Sequence, residues 1–426
     1  MSPEILTATE NETFRKFRPK TDSRRRGSMK EVRVALAGTG GYGRYYLRTL
    51  MKDAAAHGAR LAAGIDPRPH PDSAQMLKET GIPLLASLAD LAPDSADLVI
   101  IAAPIHLHAP LSCQAMEQGF PVLCEKPLAG SVADGLSVIR ASRATGRFAA
   151  IGYQWSYSDA VQSAKRDIVS GRFGRPVRMR TICIWPRRKS YYTRTFWAGR
   201  MTLPDGSFVH DSPANNAAAH YLHNMFFLAG EEMGKSAVPK EVTAELYRCK
   251  EIESYDTVVI RCLTGNGVEI LFVATHSAKP ECGPVFELAF EKATFTYDAD
   301  KDPFLRAHLP DGSVVDYNDP DATYGNRLWH TVEAARTGKT PACDALAAFS
   351  QTVCVCAALE SSGIFSLPPE QVVTKTDGLG DGFTWMPALS DTLWECYRRW
   401  ALPSETKADW ARAGATVRVT LPEGAQ

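Results

Sequence analysis

Short apolar runs of strand length alternate with longer segments of helical period over the first third of the chain. Residues 32–37 (VRVALA), 60–65 (RLAAGI) and 96–103 (ADLVIIAA) are mainly apolar, which is typical of strands that are buried on both faces. Helical segments follow at 44–57 and 109–118, and each ends at a glycine. Alternation of this kind predicts a parallel sheet whose strands are joined by right-handed crossovers.

Beyond Gly152 the pattern changes to strands with alternating polar and apolar residues. Turn residues at 264–267 (TGNG) and 310–312 (PDG) suit hairpins between such strands. The predicted strands are 176–185, 241–249, 256–264, 268–276, 285–297 and 304–317. The predicted helices are 158–170, 214–229, 325–337 and 345–362. This part is therefore expected to be an α+β domain with an open, mainly antiparallel sheet that has one face covered by helices.

The length of 426 residues exceeds what one ordinary core accommodates, so we predict two domains with appendages. Their expected order is a flexible arm at 1–28, an α/β domain at 29–150, an α+β domain at 151–365, and an extension packed on that second domain at 366–426. The arm contains Arg24-Arg25-Arg26. An export signal is not indicated, because the apolar residues that follow run directly into a glycine-rich turn without a cleavage site.

Composition and charge narrow the range of partners. Lys plus Arg (48) equals Asp plus Glu (48), so no overall field draws the chain to nucleic acid or anionic lipid. No stretch approaches the roughly 20 apolar residues of a membrane helix. Ten scattered cysteines without a CxxC pair indicate a reducing compartment. We therefore predict a cytoplasmic protein that binds a small molecule, and neither a nucleic acid nor a membrane.

A glycine-rich turn follows the first strand and opens the first helix, which is the context that a dinucleotide-binding fingerprint requires. In this turn the first glycine permits the tight bend, the second lets the backbone approach a pyrophosphate, and the last lets helix and strand pack closely. The helix N-terminus then offers free N–H groups to the phosphates. The first domain is thus predicted to have a Rossmann fold, with cofactor contacts from Gly38, Gly40, Gly41, Tyr42 and Gly43.

Asp66 ends the second strand and is the candidate for recognising the adenosine ribose. A carboxylate at this position accepts hydrogen bonds from the ribose hydroxyls and repels a 2′-phosphate, which favours NAD over NADP. Arg68 follows two residues later and keeps NADP as the alternative. Asp66 also begins an Asp-Pro turn, so its side chain can both form the turn and bind the ribose.

Three segments resemble the glucose–fructose oxidoreductase/inositol dehydrogenase (Gfo/Idh/MocA) family. They are VRVALAGTGGYGR (32–44), IIAAPIHLHAPLSCQAMEQGFPVLCEKPLA (100–129) and, less closely, IGYQWSYSDAVQSAKRDIVSGRFGRPV (151–177). The EKP tripeptide, correctly distant from the glycine turn, is more specific than either motif alone. The resemblance implies a nicotinamide-dependent oxidoreductase whose second domain offers its sheet face for self-association, as a homodimer or homotetramer.

The resemblance assigns the lysine of EKP, Lys126, to both the cofactor and the reacting hydroxyl. An ammonium there stabilises alkoxide character during hydride loss and helps to carry the proton, whereas the alternative is a surface salt bridge with Glu125. Pro127 resembles a family proline that is often preceded by a cis peptide bond. Loops at the carboxyl ends of the strands lie where a nicotinamide would sit, so further predicted cofactor contacts are Pro104, His108, Glu125 and Lys126.

The segment 210–224 (HDSPANNAAAHYLHN) contains the candidate acid–base groups. Asn216 and His220 stand four residues apart, on one face of a predicted helix. The family commonly has DxGxH here, so the resemblance gives His220 the histidine role and replaces the aspartate by Asn216. An aspartate would raise the basicity of the imidazole, whereas an asparagine orients or hydrogen-bonds the substrate. We predict Lys126, His220 and Asn216 as catalytic residues, with a helix histidine satisfied by its neighbours as the alternative for His220.

Other residues near this segment are candidates for substrate contact: Gln154, Trp155, Asn215 and His223. The family often has an arginine where Trp155 falls, so a contact to a charged substrate is in doubt there. A zinc site from His210, His220 and His223 is geometrically conceivable, but no acidic fourth ligand is evident and no metal is predicted. Residues 187–192 (RRKSYY) suit a sugar or form a solvated loop, and residues 377–385 form a flap or pack on the second domain.

Together these features predict an NAD(P)-dependent oxidoreductase that acts on a secondary hydroxyl of a sugar, cyclitol or glycoside by hydride transfer. Two alternatives use the same residues. One is an NAD-dependent glycoside hydrolase or lyase in which transient oxidation acidifies a neighbouring C–H bond. The other is a sensor that binds nucleotide or sugar without turnover, which Asn216 favours slightly and which the intact Lys126 and His220 oppose.

Overall fold

A computed structural model describes residues 30–421 and 423–424 of the chain, so the arm predicted at 1–28 lies outside the described residues. Two large sheets organise the fold. The first has six strands in the order β3-β2-β1-β4-β5-β6, and neighbouring strands pair in parallel. Its strands are β1 (Val32–Ala37), β2 (Ala59–Ile65), β3 (Leu84–Leu85), β4 (Leu98–Ile101), β5 (Val122–Cys124) and β6 (Ala149–Ile151).

Helices cover both faces of this first sheet. They include α1 (Gly43–Asp53), α2 (Pro71–Glu79), α3 (His108–Glu117) and α4 (Val132–Thr145). Successive side chains of a strand point to opposite faces. In β1, Val34 and Leu36 enter one core, while Ala35 and Ala37 enter the other. The expected parallel α/β domain is confirmed, and its mainly apolar strands are explained by burial on both sides.

The second sheet has ten strands and is mixed. Its main path runs β14-β13-β12-β11-β7-β10-β9-β8-β15, and β18 pairs with β8. Two pairings, β7 with β10 and β8 with β15, are parallel, and the others are antiparallel. The strands are β7 (Pro176–Ile184), β8 (Pro239–Arg248), β9 (Thr257–Thr264), β10 (Glu269–Thr275), β11 (Cys282–Phe290), β12 (Ala293–Asp298), β13 (Asp302–His308), β14 (Val314–Asp316), β15 (Ile364–Ser366) and β18 (Val417–Arg418).

This sheet agrees with the predicted fold class, but two of its predicted strands are wrong in detail. The segments 285–297 and 304–317 are each a hairpin of two strands, because turns at 291–292 and 309–312 interrupt them. In the second case the PDG turn lies inside the run that was expected to be one strand. In both segments, turn-forming residues inside the alternating run are the place where the chain reverses direction.

Helices cover one face of the second sheet. They are α5 (Asp159–Val169), α7 (Ala219–Ala229) and α9 (Ala345–Ser361), and their apolar residues share one core with β9 and β10. The short helix α6 (Lys189–Thr193) lies outside this layer. Two of the later helices also serve the first sheet: α8 (Asn326–Thr337) contributes Leu328 and Val332 to one of its cores, and α9 contributes Phe349 to the other. The domain boundaries therefore stay a prediction.

Residues after 366 cover the other face of the second sheet. They form a hairpin, β16 (Val373–Thr376) with β17 (Gly382–Trp385), and the helix α10 (Leu389–Arg399). Leu389 and Leu393 of α10 pack with Ile182, Val259 and Val273 of the strands. Among the described residues, no helix combines the length and apolar character needed to cross a membrane.

Candidate active site

The glycine turn connects β1 to α1 at the carboxyl edge of the first sheet. Gly38 has φ +88°, and a Cβ there would lie 2.4 Å from the carbonyl oxygen of Ala102, so the fold itself requires glycine. A Cβ on Gly43 would lie 1.9 Å from the oxygen of Gly38. By contrast, a Cβ on Gly40 would meet nothing within 4 Å. Its bare backbone therefore faces open space, which fits a pyrophosphate at this turn.

Asp66 braces the same turn. Its carboxylate accepts hydrogen bonds from the backbone N–H of Thr39 (2.8 Å), the hydroxyl of Thr39 (3.0 Å) and the N–H of Arg68 (2.9 Å). The side chain of Arg68 is exposed. The predicted ribose-binding carboxylate thus lies directly beside the predicted pyrophosphate cradle.

A buried cation lies behind the turn, and sequence reasoning missed it. Arg327 of α8 is 1% exposed; its Nε donates to the hydroxyl of Tyr46 (3.0 Å) and lies 3.3 Å from Oε1 of Glu125. Arg327 also donates to the hydroxyl of Tyr42, within the glycine turn. Tyr46 in turn donates to Glu125 at 2.6 Å. Glu125 is therefore neutralised by Arg327 and does not form the alternative salt bridge with Lys126.

The loop after β4 is tied to the loop after β5 by His108. This residue is 1% exposed, and its Nδ1 and Nε2 lie 2.7 Å from the oxygen of Pro127 and 2.9 Å from the oxygen of Ala103. Burial lowers the pKa of its imidazole. The Lys126–Pro127 peptide is cis, as the resemblance implied. His108 therefore holds the two loops together, and Pro104 begins the turn that leads to it.

Lys126 crosses from the first sheet to the segment before α7. Its Nζ donates to the backbone oxygen of Asn216 at 2.7 Å and to the side-chain Oδ1 of Asn216 at 3.0 Å. Burial is the main effect on its pKa, which is lowered to about 8. The structure thus brings together two predicted catalytic residues that are 90 positions apart.

A carboxylate that the sequence analysis did not single out completes this arrangement. Asp211 is 2% exposed, and its Oδ1 accepts a hydrogen bond from Nδ2 of Asn216 at 2.7 Å. Its Oδ2 accepts one from the backbone N–H of Gly199, also at 2.7 Å. Burial raises the pKa of Asp211. The only signal in the sequence was an acidic residue within the His210–Pro213 stretch, before the expected helix.

His220 lies in the first turn of α7, and its local structure differs from the prediction. Residues Pro213–Ala217 form a π-helical turn, and a break at Ala218 separates it from α7, so 214–229 is not one regular helix. The imidazole packs edge-on against Tyr153 at 5.7 Å between ring centres, and its buried Nδ1 has no hydrogen-bond partner in the described part of the chain. Burial lowers its pKa well below the usual value. His220 is therefore a neutral imidazole with an unused nitrogen.

Gln154 and Trp155, predicted to bind substrate, point elsewhere. Both side chains donate to Oδ1 of Asp321, at 3.2 Å and 2.8 Å. Trp155 is 2% exposed and packs against Phe286 at 5.6 Å between ring centres. Its indole is thus part of the second core, and the prediction of a substrate contact is corrected for this residue.

Asn215 and His223 are also directed into the protein. The Oδ1 of Asn215 accepts a hydrogen bond from Nε2 of Gln351 at 3.3 Å. His223 is 1% exposed, stacks on Tyr153, and contacts the hydroxyl of Ser156 at 2.9 Å through Nε2. These two residues support the segment around His220 from behind, so neither serves as the predicted substrate contact. In the described ranges, no group of three or more His, Cys, Asp or Glu side chains could hold a metal ion.

The segment 187–194 forms an aromatic wall with α6 at its centre. Tyr192 bonds Nδ1 of His276 through its hydroxyl at 2.7 Å, and the guanidinium of Arg194 lies 3.6 Å from the ring centre of Tyr191. Asp381, at the tip of the β16–β17 hairpin, accepts hydrogen bonds from the N–H (2.9 Å) and the hydroxyl (2.6 Å) of Ser190. The segment is therefore anchored by the C-terminal residues, while its charged side chains Arg188, Lys189 and Arg194 are exposed to solvent, as the solvated-loop alternative expected.

Comparisons with known proteins agree with this geometry. The glycine turn on a parallel sheet defines a dinucleotide-binding domain, and a family model described as an oxidoreductase family with an NAD-binding Rossmann fold matches residues 32–153. Over these residues the chain is similar to the Gfo/Idh/MocA family, which confirms the resemblance seen in the motifs of the first domain. The NAD-binding fold predicted for the first domain is thereby confirmed.

Individual curated relatives match less than half of the chain. An inositol 2-dehydrogenase 1 of Saccharopolyspora erythraea is 34% identical over 166 residues, which are 38% of this chain and 48% of the relative. A 2,7-anhydro-N-acetylneuraminate hydratase of Mediterraneibacter gnavus is 33% identical over 150 residues, which are 34% of this chain and 38% of the relative. The chain thus spans less than half the length of each of these curated relatives.

A solved structure extends the likeness of fold. The WlbA dehydrogenase of Chromobacterium violaceum, in complex with NADH and UDP-GlcNAcA, has a TM-score of 0.65 at 23% identity. The match covers 78% of this chain and 94% of the other. Both domains therefore follow a known arrangement, whereas about a fifth of this chain has no counterpart in that structure.

Proposed function

We propose that this protein is an NAD-dependent oxidoreductase that oxidises, reversibly, a secondary hydroxyl of a sugar, cyclitol or glycoside. The observation that carries the proposal is Lys126, whose ammonium is held by both oxygens of Asn216 beyond the carboxyl edge of the first sheet. The family match of residues 32–153 and the inositol 2-dehydrogenase relative support it.

The chain's own residues divide the chemistry. The glycine turn and Asp66 bind the dinucleotide, and NAD, when bound, accepts the hydride. Lys126 has three N–H bonds, of which Asn216 takes two, so one remains to stabilise the substrate oxygen as it gains alkoxide character. His220 has an imidazole nitrogen without a partner and accepts the hydroxyl proton. Asn216 orients the lysine.

The internal-redox alternative has one specific observation in its favour. A relative of similar identity over a similar length, 33% over 150 residues, is a hydratase. In this alternative the glycine turn and Asp66 would hold the dinucleotide, whose redox chemistry would supply a transient oxidation of a hydroxyl and so acidify a neighbouring C–H bond, and Lys126 and His220 would handle the substrate oxygen and its proton. In that case the cofactor shows no net change, and NADP in place of NAD is compatible with Arg68.

The cellular setting is part of the proposal. All ten cysteines lie in the described part of the chain and are free, which supports a reducing compartment such as the cytoplasm. Self-association as a homodimer or homotetramer is likewise proposed. It would use edges or other surfaces of the second sheet, because residues after 366 already cover the face opposite the helices.

Two measurements test the proposed function. First, the protein is purified gently and denatured, and any released nucleotide is identified by mass spectrometry. Second, NADH absorbance is followed over a panel of sugars, cyclitols and glycosides. Release of NAD(H) together with an absorbance change supports a dehydrogenase. Tightly held NAD, no net absorbance change and a cleaved or hydrated product support the alternative, and absence of nucleotide affinity contradicts both.

Lys126→Ala serves as the decisive variant in that screen. We expect turnover to fall by about two orders of magnitude or more, since one positioned group that stabilises developing charge contributes this much, while NAD affinity stays within a few-fold. Lys240→Ala, which alters an exposed lysine on β8, is the matched control and should behave like the wild type. Wild-type turnover in Lys126→Ala would refute the assigned role.

A further inference from the structure

The carboxylate of Asp211 lies one hydrogen bond away from residue 216. The DxGxH pattern of the family would place an aspartate at 216, where this chain has asparagine. Asp211, five positions earlier, bonds Nδ2 of that asparagine at 2.7 Å, and Oδ1 of the asparagine accepts from Lys126 at 3.0 Å. The three side chains therefore form one line: carboxylate, amide, ammonium.

The direction of the amide in this line is determined by its two neighbours. A carboxylate can only accept, and an ammonium can only donate. The NH₂ of Asn216 must therefore face Asp211, and its oxygen must face Lys126. Because the backbone oxygen of Asn216 also accepts from Nζ at 2.7 Å, both acceptors of this residue converge on one ammonium. A flipped amide would place two donors against each other at one end and two acceptors at the other.

We propose that Asp211 is the positioning residue of this site: through the amide of Asn216 it fixes the ammonium of Lys126, so that the third N–H of Lys126 points to the substrate oxygen. The inference rests on the proposed function. It assigns to Asp211 the task that a directly bound aspartate would otherwise perform. Asp211 acts through Asn216 and touches neither the substrate nor the cofactor.

The surroundings of Asp211 support this task. It is buried, and its two oxygens are taken by neutral donors, the N–H of Gly199 and Nδ2 of Asn216. Its negative charge is met through space by Arg194 and Lys126, and it favours the charged form of Lys126. The other charged groups that act on Lys126 are Glu125, Arg194 and Arg327.

Gly199 links this line to the aromatic wall. The residue follows the segment 187–194, and its N–H holds the second oxygen of Asp211 at 2.7 Å. Its φ is +71°, and a Cβ would lie 2.9 Å from Ile252, so this backbone conformation favours glycine. The carboxylate is thus fixed at both oxygens, and neither is free to rotate toward solvent.

Three variants separate a positioning role from a merely structural one. Asp211→Asn removes the charge and leaves one of the two hydrogen bonds without an acceptor. Asn216→Asp places a carboxylate directly on Lys126 but also against Asp211. The double variant, Asp211→Asn with Asn216→Asp, exchanges the two groups, so that the new amide donates to the new carboxylate and the line is restored in reverse order.

We expect each single variant to lower turnover about tenfold or more, as the loss of one buried charged hydrogen bond does. The double variant should recover turnover to within a few-fold of the wild type. Asp344→Asn, at the N-cap of α9, is the matched control; asparagine caps a helix as well as aspartate, so turnover there should not change. If the double variant is no better than the worse single variant, the proposal is overturned.

A second readout needs no substrate and no cofactor. The ε-carbons of lysine are labelled with ¹³C, the Lys126 signal is assigned with Lys126→Arg, and its pKa is measured by NMR titration of the full chain. Asp211→Asn should lower that pKa, and Asn216→Asp, alone or in the double variant, should raise it by about one unit or more. An unchanged Lys126 pKa in Asp211→Asn would overturn the inference.

The two readouts also distinguish failure of this inference from failure of the proposed function. If no polyol is turned over by the wild type but the Lys126 pKa shifts as expected, the positioning line stands and the reaction class is wrong. If turnover is found but Asp211→Asn changes neither turnover nor the Lys126 pKa, the reaction class stands and Asp211 is only a structural residue.

Discussion

Two buried carboxylates flank Lys126 and are treated differently by the fold. Glu125, on the side of the first sheet, is neutralised by Arg327 and bonded by Tyr46. Asp211, on the side of the second sheet, accepts hydrogen bonds only from neutral donors, while Arg194 and Lys126 act on its charge through space. Both carboxylates favour the charged form of Lys126. The first also ties the EKP strand to the glycine turn and to α8 by an ion pair, whereas the second is linked to the lysine through the amide of Asn216. Burial alone therefore does not distinguish a structural carboxylate from a positioning one. The distinction depends on whether the carboxylate pairs with a cation or bonds neutral donors.

The largest expected effect concerns the Glu125 side. Arg327→Met should lower the free energy of unfolding by about 3–5 kcal/mol, because it leaves a buried carboxylate without its cation. Asp211→Asn should lower it by about 1–3 kcal/mol, the range of a hydrogen bond to a charged group. Urea unfolding followed by tryptophan fluorescence measures both.

The double variant Arg327→Met with Glu125→Gln is the control for this prediction. It removes both charges, so we expect it to be more stable than Arg327→Met alone. Equal losses for Arg327→Met and Asp211→Asn would contradict the distinction between the two carboxylates.

The pH dependence of oxidation tests whether Lys126 must stay protonated. Lys126 must keep its proton to stabilise the substrate oxygen, and its pKa is lowered to about 8 by burial. The kcat/KM should therefore fall about tenfold per pH unit above that value. The pKa of His220 lies well below the usual range, so no second change near neutral pH is expected. A rate that rises through about pH 6.5 would instead indicate that a histidine of ordinary pKa controls the reaction.

The two sides of Lys126 also differ in how far the sequence predicts them. The first side follows from local signals: apolar runs of strand length, glycines at fixed spacing and the EKP tripeptide. Even there Arg327 was missed, because it belongs to α8, which returns to the first sheet after about 170 residues of the second domain. A contact between segments so distant in the chain leaves no periodic pattern.

On the second side, helical spacing grouped Asn216 with His220 on the assumption of one regular helix, and this grouping stays a prediction. The π-helical turn Pro213–Ala217 changes which atoms face Lys126 and brings Asp211 into the line. Asn215 and His223, the predicted substrate contacts nearby, are buried and bond Gln351 and Ser156. The break at Ala218, which helical spacing could not show, separates Asn216 from the regular helix that contains His220.

A smaller effect is expected at Asp66, beside the glycine turn of the first domain. Asp66→Ala should weaken NAD binding about tenfold, the value of one or two hydrogen bonds, and reduce the preference over NADP because the repulsive charge is lost. Fluorescence titration with both nucleotides measures this. Asp72→Ala, an aspartate at the start of α2 that pairs with Arg44, is the control. An unchanged NAD affinity in Asp66→Ala would mean that the carboxylate only braces Thr39.

The smallest effect is expected at Asp381, which anchors the aromatic wall on the Asp211 side of Lys126. Asp381→Ala removes the acceptor for Ser190 and loosens the aromatic wall that leads to Gly199. We expect the KM for substrate to rise a few-fold, in line with the loss of partly exposed hydrogen bonds, without a change in NAD affinity. Asp311→Ala is a close match, since this aspartate likewise accepts from the N–H and hydroxyl of a serine, Ser313, in a distant turn. A KM that rises equally in both variants would contradict the connection.

The covered face of the second sheet has a consequence for how the chain is made. Ile182, Val259 and Val273 are synthesised long before Leu389 and Leu393, which cover them. During translation, which proceeds at about 5–20 residues per second, this apolar surface stays exposed for several seconds after its strands have left the ribosome. A nascent chain of this protein is therefore a natural client for chaperones, and a message truncated before α10 should yield an insoluble product.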